Sequence, residues 1–313
     1  MLTAITRAVS PAINRCELSH LPRQPINFAR AVEQHRQYET CLRDLGVSVV
    51  SLLPEPDLPD SVFVEDPAVV VEEVAVMTRM GAESRRKESD SLAEALADYR
   101  PLRWLREPAT LEGGDVLRIG KTLYVGLSAR TNQAGIAQLE EQLRPFGYAV
   151  LPVEVRGCLH LKSACCSLGD RAILANREWF DTAPFQRLPI IDVPASEPRA
   201  ANVLTVGDTV MVAASFPETA ALLQQLDWKV RTLDISELMK AEAGLTCSSI
   251  LLEQWGQAFR PAAGLPPGAP PGKGGGSPEG LPHVLLVKDR FPSQFQSNIT
   301  CCGRCDHIAA NLV

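Results

Sequence analysis

The sequence predicts an α/β fold in which five repeated units close into a ring. Three observations support this prediction. Short apolar hairpins recur along the first part of the chain, a single apolar strand accompanies each of them at a spacing of roughly 40 to 50 residues, and helical segments precede most of these single strands.

The hairpins are marked by two apolar runs with turn residues between them. A Gly and a charged residue form the turn in three of them, and Glu72 and Glu73 form it in the fourth, a pattern typical of two paired antiparallel strands. The four hairpins are AVVVEEVAVMT (68–78), VLRIGKTLYVG (116–126), CCSLGDRAILA (165–175) and NVLTVGDTVMVA (202–213).

The single strands complete the units. They are VSVVSLLP (47–54), PLRWLREP (101–108), YAVLPVEV (148–155), RLPIIDVP (187–194) and WKVRTLDI (228–235). Helices are predicted over 27–45, 132–146 and 218–226, the first two followed by a Gly that suits a helix C-terminus. A fifth hairpin is incomplete after CSSILLE (247–253), so we expect the N-terminal run LTAITRAV (2–9) to close the ring.

Composition limits the class of protein. The chain has 313 residues, 45% of them hydrophobic, and a formal net charge of −6, with basic residues scattered rather than clustered. This pattern argues against nucleic acid as a partner. No apolar run approaches the roughly 20 residues that span a bilayer, so neither a membrane span nor a membrane partner is predicted, and a cytoplasmic location is expected. The nine cysteines lack a regular disulfide framework and are interpreted as thiols.

The composition changes near residue 256. Pro and Gly dominate 256–282, a composition that buries too little apolar surface to fold by itself. We therefore predict a catalytic domain at 1–256 and a disordered extension at 257–313. Cys301, Cys302, Cys305 and His307 in this extension offer a zinc-binding alternative, but adjacent cysteines are poorly spaced for a tetrahedral site, and no metal is predicted.

Polar residues stand just ahead of the hairpins, where a ring brings equivalent positions together. They are Glu65 and Asp66, Glu112, His160, Asn202 and Cys247. Each of them taken alone can be explained by a structural role, as a buried thiol, a core histidine or a loop acid. Together Cys247, His160 and Glu112 supply a nucleophile, an acid/base and an orienting carboxylate, the set that nucleophilic catalysis requires.

The remaining charges indicate what such a site binds. Asp60, Glu65 and Asp66 lie close together in LPDSVFVEDP, and carboxylates beside a thiol suit a planar cation. Arg85 and Arg130 follow neighbouring hairpins and are suited to hold a carboxylate at the other end of that cation. The sequence thus predicts a site in which a thiol nucleophile acts beside a bound planar cation.

Several motifs carry a resemblance to a known family. The chain resembles the dimethylarginine dimethylaminohydrolases, among the guanidino-group-modifying enzymes, over roughly residues 4 to 255. The matching motifs are DSVFVEDPAVV (60–70), TRMGAESRRKE (78–88), LEGGDVL (111–117), GLSARTNQ (126–133), CLHLKSACC (158–166), AANVL (200–204) and GLTCSSILL (244–252).

The resemblance implies a fold and site roles. It implies a five-bladed, pseudosymmetric α/β propeller of ββαβ-type units, with Cys247 as nucleophile, His160 as proton donor and Glu112 as its acidic partner. By the same carry-over Glu65 and Asp66 grip the guanidinium. It also implies that Asp60, Arg85 and Arg130 hold the amino-acid end of the substrate. Leu18 corresponds to a contact from a gating loop, and Ala241 to a residue whose backbone carbonyl faces the substrate.

The implied reaction hydrolyses Nω-methylated arginine to citrulline and an alkylamine, without a metal or organic cofactor. A small-molecule substrate is the expected partner, and the oligomeric state is left open. Two alternatives remain at this point. One is a sibling reaction on the same fold, such as arginine deimination or amidino transfer, and the other is a ring that serves as a non-catalytic binding module.

Overall fold

The computed structural model describes residues 1–185 and 188–253, and within these ranges the strands form five sheets of three strands each. Every central strand pairs antiparallel with one neighbour and parallel with the other. The sheets contain, in spatial order, β15 (Ile250–Glu253), β1 (Leu2–Arg7) and β2 (Ser48–Leu52); β3 (Ala68–Val70), β4 (Ala75–Met77) and β5 (Leu102–Trp104); β6 (Val116–Ile119), β7 (Thr122–Leu127) and β8 (Ala149–Glu154); β9 (Cys165–Ser167), β10 (Ile173–Ala175) and β11 (Ile190–Asp192); β12 (Leu204–Val206), β13 (Thr209–Ala213) and β14 (Lys229–Leu233).

Helices connect central strands to their parallel neighbours, because two parallel strands need a crossover between them. Four sheets have such a helix, while the described part of the β10–β11 connection has only short 3-10 turns. Two further helices are one turn long. The helices are α1 (Phe28–Asp44), α2 (Glu88–Ala97), α3 (Gln133–Leu143), α4 (Leu161–Ala164), α5 (Pro217–Gln225) and α6 (Ser236–Met239).

The ends of α1 and α3 follow from local side-chain chemistry. The Asn27 side chain accepts a hydrogen bond from the Arg30 amide at 3.1 Å, and Asn132 does the same for Gly135 at 2.8 Å, so both helices begin at a capping residue. Gly46 and Gly147 follow the two helical segments with φ of 81° and 78°. Glycine adopts this left-handed conformation at little cost, which confirms the predicted C-terminal ends.

Apolar side chains between neighbouring sheets show that the sheets form a closed ring. Five core clusters each combine residues from two sheets that follow one another along the chain, and one of them combines the fifth sheet with the first. Going round the ring, the clusters include Ile5 with Met77, Val76 with Val125, Tyr124 with Ile173, Leu174 with Val210, and Met211 with Ala4. The predicted five-bladed α/β propeller is confirmed.

The ring closes as the sequence predicts. β1 pairs antiparallel with β15, with Leu2 opposite Glu253, and parallel with β2, with Thr3 opposite Ser48. The first and last strands of the described chain therefore share one sheet. The predicted extension at 257–313 and its zinc alternative lie outside the described residues. No helix within the described ranges is long and apolar enough to cross a membrane.

Candidate active site

Glu112 and His160 form a buried ion pair at the centre of the site. Glu112 precedes the 3-10 turn that leads into β6, and His160 immediately precedes α4. Glu112 Oε2 lies 2.8 Å from His160 Nε2, and both side chains are buried. Burial alone would raise the pKa of Glu112 and lower that of His160, but their mutual contact and nearby charges reverse both effects. The pair therefore favours a carboxylate and an imidazolium.

Two glycines after Glu112 make room for these side chains. A Cβ atom on Gly113 would lie 2.0 Å from the Glu65 carbonyl oxygen, and one on Gly114 would lie 2.5 Å from His160 Nδ1. Any residue larger than glycine at either position would clash severely with these atoms. The close backbone approach expected from the LEGGDVL motif is present, and it brings Glu65 and His160 against the same turn.

Asp115, the next residue in this motif, positions the segment that carries His160. Its Oδ1 accepts the Leu161 amide at 2.9 Å, and its Oδ2 accepts the hydroxyls of Ser128 and Thr131 at 2.6 and 2.7 Å. Asp115 is fully buried. Since Leu161 follows His160 directly, this carboxylate fixes the start of α4 and with it the imidazole.

Cys247 lies in the turn just before β15. Its Sγ accepts the Gly244 amide at 3.3 Å, and its carbonyl oxygen accepts the Glu65 amide at 3.2 Å. Burial raises the pKa of the Cys247 thiol, the charges of Glu65 and Asp66 raise it further, and the Gly244 amide and Lys162 only partly oppose this. These surroundings favour the neutral thiol, so a positive charge brought next to it would promote the thiolate.

Glu65 and Asp66 occupy the loop before β3 and face different partners. Glu65 accepts Lys162 Nζ at 2.5 Å and the Thr246 hydroxyl at 2.7 Å. Asp66 accepts the Gly114 amide at 3.0 Å and Arg85 Nη1 at 2.9 Å. Glu65 thus contacts the Cys247 turn, and Asp66 contacts the turn that carries Glu112.

Each of the two predicted arginines lies against an acid of the site, Arg85 against Asp66 and Arg130 against Glu112. Arg85 is buried between Asp66 and Glu88, with Nη2 2.9 Å from Glu88 Oε2. Arg130 Nη1 lies 3.3 Å from Glu112 Oε1, and its Nη2 donates to the Ser19 hydroxyl at 3.0 Å. A guanidinium held so close to Glu112 acts on the reacting end of the site as well as on any remote carboxylate.

Leu18 belongs to segment 16–21, which contacts Asp60 and packs against the apolar cluster of Ala241. Asp60 Oδ2 accepts the Glu17 amide at 3.0 Å, and burial raises the Asp60 pKa while Arg85 opposes the rise. Leu18 and Cys247 pack against the apolar cluster that contains Ala241. The structure therefore brings these three predicted residues to the same side of the site as the nucleophile candidate.

Besides Asp115, the sequence analysis missed the charged residues Lys162 and Glu242 in the site. Lys162 pairs with Glu65, and the Glu242 carboxylate accepts the backbone amides of Ser19, His20 and Leu21 at distances of 2.5–3.1 Å. Lys162 stands two residues after His160 among small and apolar residues. A lysine in such a buried segment needs a counter-charge, and this need was the available signal. Glu242 gave no comparable signal.

Three of the site residues have the composition of a metal site. Asp66, Glu112 and His160 each offer one ligand atom, and these atoms lie within 4.8 Å of one another. However, Glu112 already bonds His160, and Asp66 bonds Arg85 and Gly114. A metal ion would have to displace these contacts.

Comparison with known proteins points to one family. Residues 8–192 match the family described as N,N dimethylarginine dimethylhydrolase, eukaryotic. The N(G),N(G)-dimethylarginine dimethylaminohydrolase of Streptomyces coelicolor is 39% identical over 261 residues, which are 80% of this chain and 97% of that relative. The enzyme of the same name from Pseudomonas aeruginosa is 36% identical over 234 residues, or 74% of this chain and 91% of the relative.

Solved structures agree with the sequence relatives. A mutant of the Pseudomonas aeruginosa enzyme in complex with citrulline superposes with a TM-score of 0.76 at 32% identity, covering 80% of this chain and 98% of that one. A dimethylarginine dimethylaminohydrolase adduct with S-methyl-L-thiocitrulline gives a TM-score of 0.76 at 33% identity, with coverages of 80% and 99%.

Proposed function

The chain belongs to the dimethylarginine dimethylhydrolase family, and on that premise we propose how its site performs the reaction. The protein is a hydrolase that acts on the C–N bonds of a linear amidine and converts dimethylarginine to citrulline by cysteine-based chemistry. In our proposal Cys247 is the nucleophile, His160 transfers the protons, and Glu112 keeps His160 oriented and charged.

One observation carries this assignment. The neighbouring acids Glu65 and Asp66 link the Cys247 turn to the turn that carries Glu112 and its partner His160, because the Glu65 amide donates to the Cys247 carbonyl oxygen at 3.2 Å and Asp66 accepts the Gly114 amide at 3.0 Å. A thiol, an imidazolium and carboxylates on segments linked in this way match the needs of a guanidinium, which is a planar cation whose carbon is a poor electrophile. The acids hold the cation, and the cation then favours the thiolate.

The first half of the reaction breaks the C–N bond. The Cys247 thiolate adds to the guanidinium carbon and forms a C–S bond. His160 donates its proton to the departing alkylamine, and the C–N bond breaks to leave a thiouronium on Cys247. The Glu112 carboxylate stabilises the imidazolium that makes this donation possible.

The second half consumes water and restores the enzyme. The neutral His160 accepts a proton from a water molecule as its oxygen adds to the thiouronium carbon. The C–S bond then breaks, which releases citrulline and returns Cys247 to its initial form. Binding of the cation releases the Cys247 thiol proton to solvent, and the hydroxyl proton of the adduct formed by water passes to the departing Cys247 sulfur; the other proton transfers go through His160.

The remaining predicted residues supply binding and placement. We assign Glu65 and Asp66 to the guanidinium, with Asp60, Arg85 and Arg130 toward the amino-acid end and Leu18 and the Ala241 backbone beside the bound chain. Holding the cation close to the thiol contributes to the rate because it removes the entropy cost of the encounter. Asp66 and Arg85 contact each other at 2.9 Å, so substrate must share or replace that contact.

We also propose that the enzyme acts in the cytoplasm. All six cysteines in the described residues are free thiols, including the adjacent Cys165 and Cys166. A reduced environment keeps such thiols from forming disulfides and keeps Cys247 reactive.

Turnover of three substrates tests the function. Purified protein should release citrulline and an alkylamine from Nω-methylated and Nω,Nω-dimethylated arginine, and the Cys247→Ser variant should release neither. Cys158→Ser is the matched control, because Cys158 is another partly buried thiol near His160 and serine keeps its hydrogen bond to the His160 carbonyl oxygen. Faster turnover of unmodified arginine, with release of ammonia, would instead identify a deiminase.

A further inference from the structure

Asn202 connects two segments of the active site, although the reaction scheme gives it no part. It stands just ahead of β12, in the fifth unit of the ring. Its Nδ2 donates to the Lys162 carbonyl oxygen at 3.0 Å and lies 3.2 Å from Thr246 Oγ1, while its Oδ1 accepts the Thr246 amide at 3.1 Å. One amide therefore links the segment after His160 to the turn before Cys247.

The same side chain packs directly on Gly244. A Cβ atom on Gly244 would lie 2.2 Å from both Cγ and Oδ1 of Asn202 and 2.7 Å from Nδ2. Gly244 does not have a positive φ, so glycine is required here for space rather than for backbone conformation. The Asn202 amide thus fixes where the Gly244 backbone lies.

Gly244 in turn contacts the thiol. Its amide donates to Cys247 Sγ at 3.3 Å. A backbone N–H aimed at sulfur stabilises a thiolate more than a thiol, because a hydrogen bond to a charged acceptor is the stronger one. This donor matters because Glu65 and Asp66 both oppose a negative charge on Cys247, while Lys162 favours it.

We propose that Asn202 is a positioning residue for the nucleophile. It holds turn 244–247 against the His160 segment, so that the Gly244 amide stays on Cys247 Sγ and the thiolate forms at the right place. The inference rests on the proposed function in taking Cys247 as the nucleophile. Asn202 itself does not touch the reacting atoms in this scheme.

Asn202→Ala tests the proposal with two readouts. We expect kcat to fall by ~10²-fold while KM changes by less than ~3-fold, because the nucleophile is displaced but the carboxylates that bind substrate are not. We also expect the pH midpoint for labelling of Cys247 by iodoacetamide, followed on the Cys247 peptide by mass spectrometry, to move to higher pH.

Thr205→Val is the matched control. The Thr205 hydroxyl donates to the Ser167 carbonyl oxygen at 3.0 Å, so it links the same two units through the same kind of bond, but away from Cys247. Valine keeps the shape and removes the donor. We expect kcat within ~3-fold of wild type and an unchanged labelling midpoint. Equal losses in the two variants, or an unchanged midpoint in Asn202→Ala, would overturn the proposal.

A second pair of variants keeps the test decisive if Asn202→Ala folds poorly. Gly244→Ala places a methyl group on Asn202 and should also lower kcat and raise the labelling midpoint. In Asn202→Ala/Gly244→Ala that clash is relieved, so the double variant should be no worse than Gly244→Ala. If the kcat losses of the two single variants multiply in the double variant, the two residues act independently, which would contradict the proposal. Labelling needs no substrate, so absence of turnover in the wild type would count against the proposed function alone.

Discussion

Glu112 has no exposed surface, and a carboxylate at that depth stays charged because His160 and Arg130 both donate to it. The arrangement also sets the charge of His160. Burial lowers its pKa, but the carboxylates of Asp66, Asp115 and Glu112 together raise the pKa above its ordinary value. His160 is thereby kept protonated at neutral pH, which is the state that the departing amine requires.

Glu112→Gln should change the pH dependence of the reaction. Glutamine keeps the shape but removes one of the charges that raise the His160 pKa, so His160 loses its proton at lower pH. We expect kcat to fall by ~10²-fold or more and the alkaline limb of the kcat profile to move to lower pH. The check is to measure kcat from about pH 6 to about pH 10, because this range includes both the ordinary histidine pKa and the raised pKa of His160. An unmoved alkaline limb would contradict the role given to Glu112.

Arg130→Ala should affect both kinetic constants. The sequence suggests a remote clamp, which alone would raise KM, but Arg130 also lies 3.3 Å from Glu112. We therefore expect KM to rise and kcat to fall, each by ~10-fold. The control is Arg86→Ala, because Arg86 contacts Glu83 on the surface instead. With a substrate that lacks its α-carboxylate, Arg130→Ala should no longer raise KM but should still lower kcat. If the KM increases from the two changes multiply instead, Arg130 does not contact that carboxylate.

Segment 16–21 is held over the site by a neighbouring loop rather than by its own secondary structure. The Glu242 carboxylate accepts three consecutive amides from it, and Glu242 has a φ of 63°. A non-glycine residue with this φ is uncommon, so the loop holds a costly conformation that aims the carboxylate at the segment. Ser19 in the same segment contacts Arg130, which connects the segment to Glu112.

Glu242→Gln should weaken this attachment. A neutral amide oxygen accepts hydrogen bonds less strongly than a carboxylate, so we expect KM to rise by ~10-fold with little change in melting temperature. Glu237→Gln is the control, because Glu237 also accepts a backbone amide, that of Asn27, but at the start of α1. Steady-state kinetics on the two variants decide the matter. Equal KM values in both would show that segment 16–21 does not govern substrate binding.

At the scale of the whole molecule, closure of the ring depends on the N-terminal strand β1, which pairs with β15, the last described strand. β1 is the central strand of its sheet, so its removal would leave β2 and β15 without partners and would take the fully buried Ala4 and Ile5 out of two core clusters, which exposes the apolar residues packed against them. Unpaired strand edges and exposed apolar surface both destabilise a fold.

Two truncations should therefore behave differently. Removal of residues 1–7 should abolish cooperative thermal unfolding, because the ring then lacks its closing strand. Removal of 257–313 should leave turnover within ~2-fold of wild type, since a Pro- and Gly-rich composition predicts little buried surface. Circular dichroism melts and citrulline assays on both truncated chains test this. Loss of activity on removing 257–313 would contradict the predicted division at residue 256.

The sequence by itself determined the fold and named the candidate residues of the site. Strands and turns leave local patterns, so the four hairpins, the helix ends at Gly46 and Gly147, and the closing role of β1 were all readable from neighbouring residues. The repeat then predicted which distant residues come together, because equivalent positions of the units meet in a closed ring. Glu112, His160 and Cys247 could be grouped for that reason.

Only the tertiary structure decided which partner each side chain has. Lys162 reaches Glu65 across 97 positions, Asn202 reaches Thr246 across 44, and Glu242 reaches Leu21 across 221. The placement of Arg130 on Glu112 belongs to the same class. A pattern along the chain specifies which face of an element is buried, but a hydrogen bond depends on distances of a few tenths of an ångström. Those distances are set by the packing of all five sheets together, and no local stretch of sequence contains them.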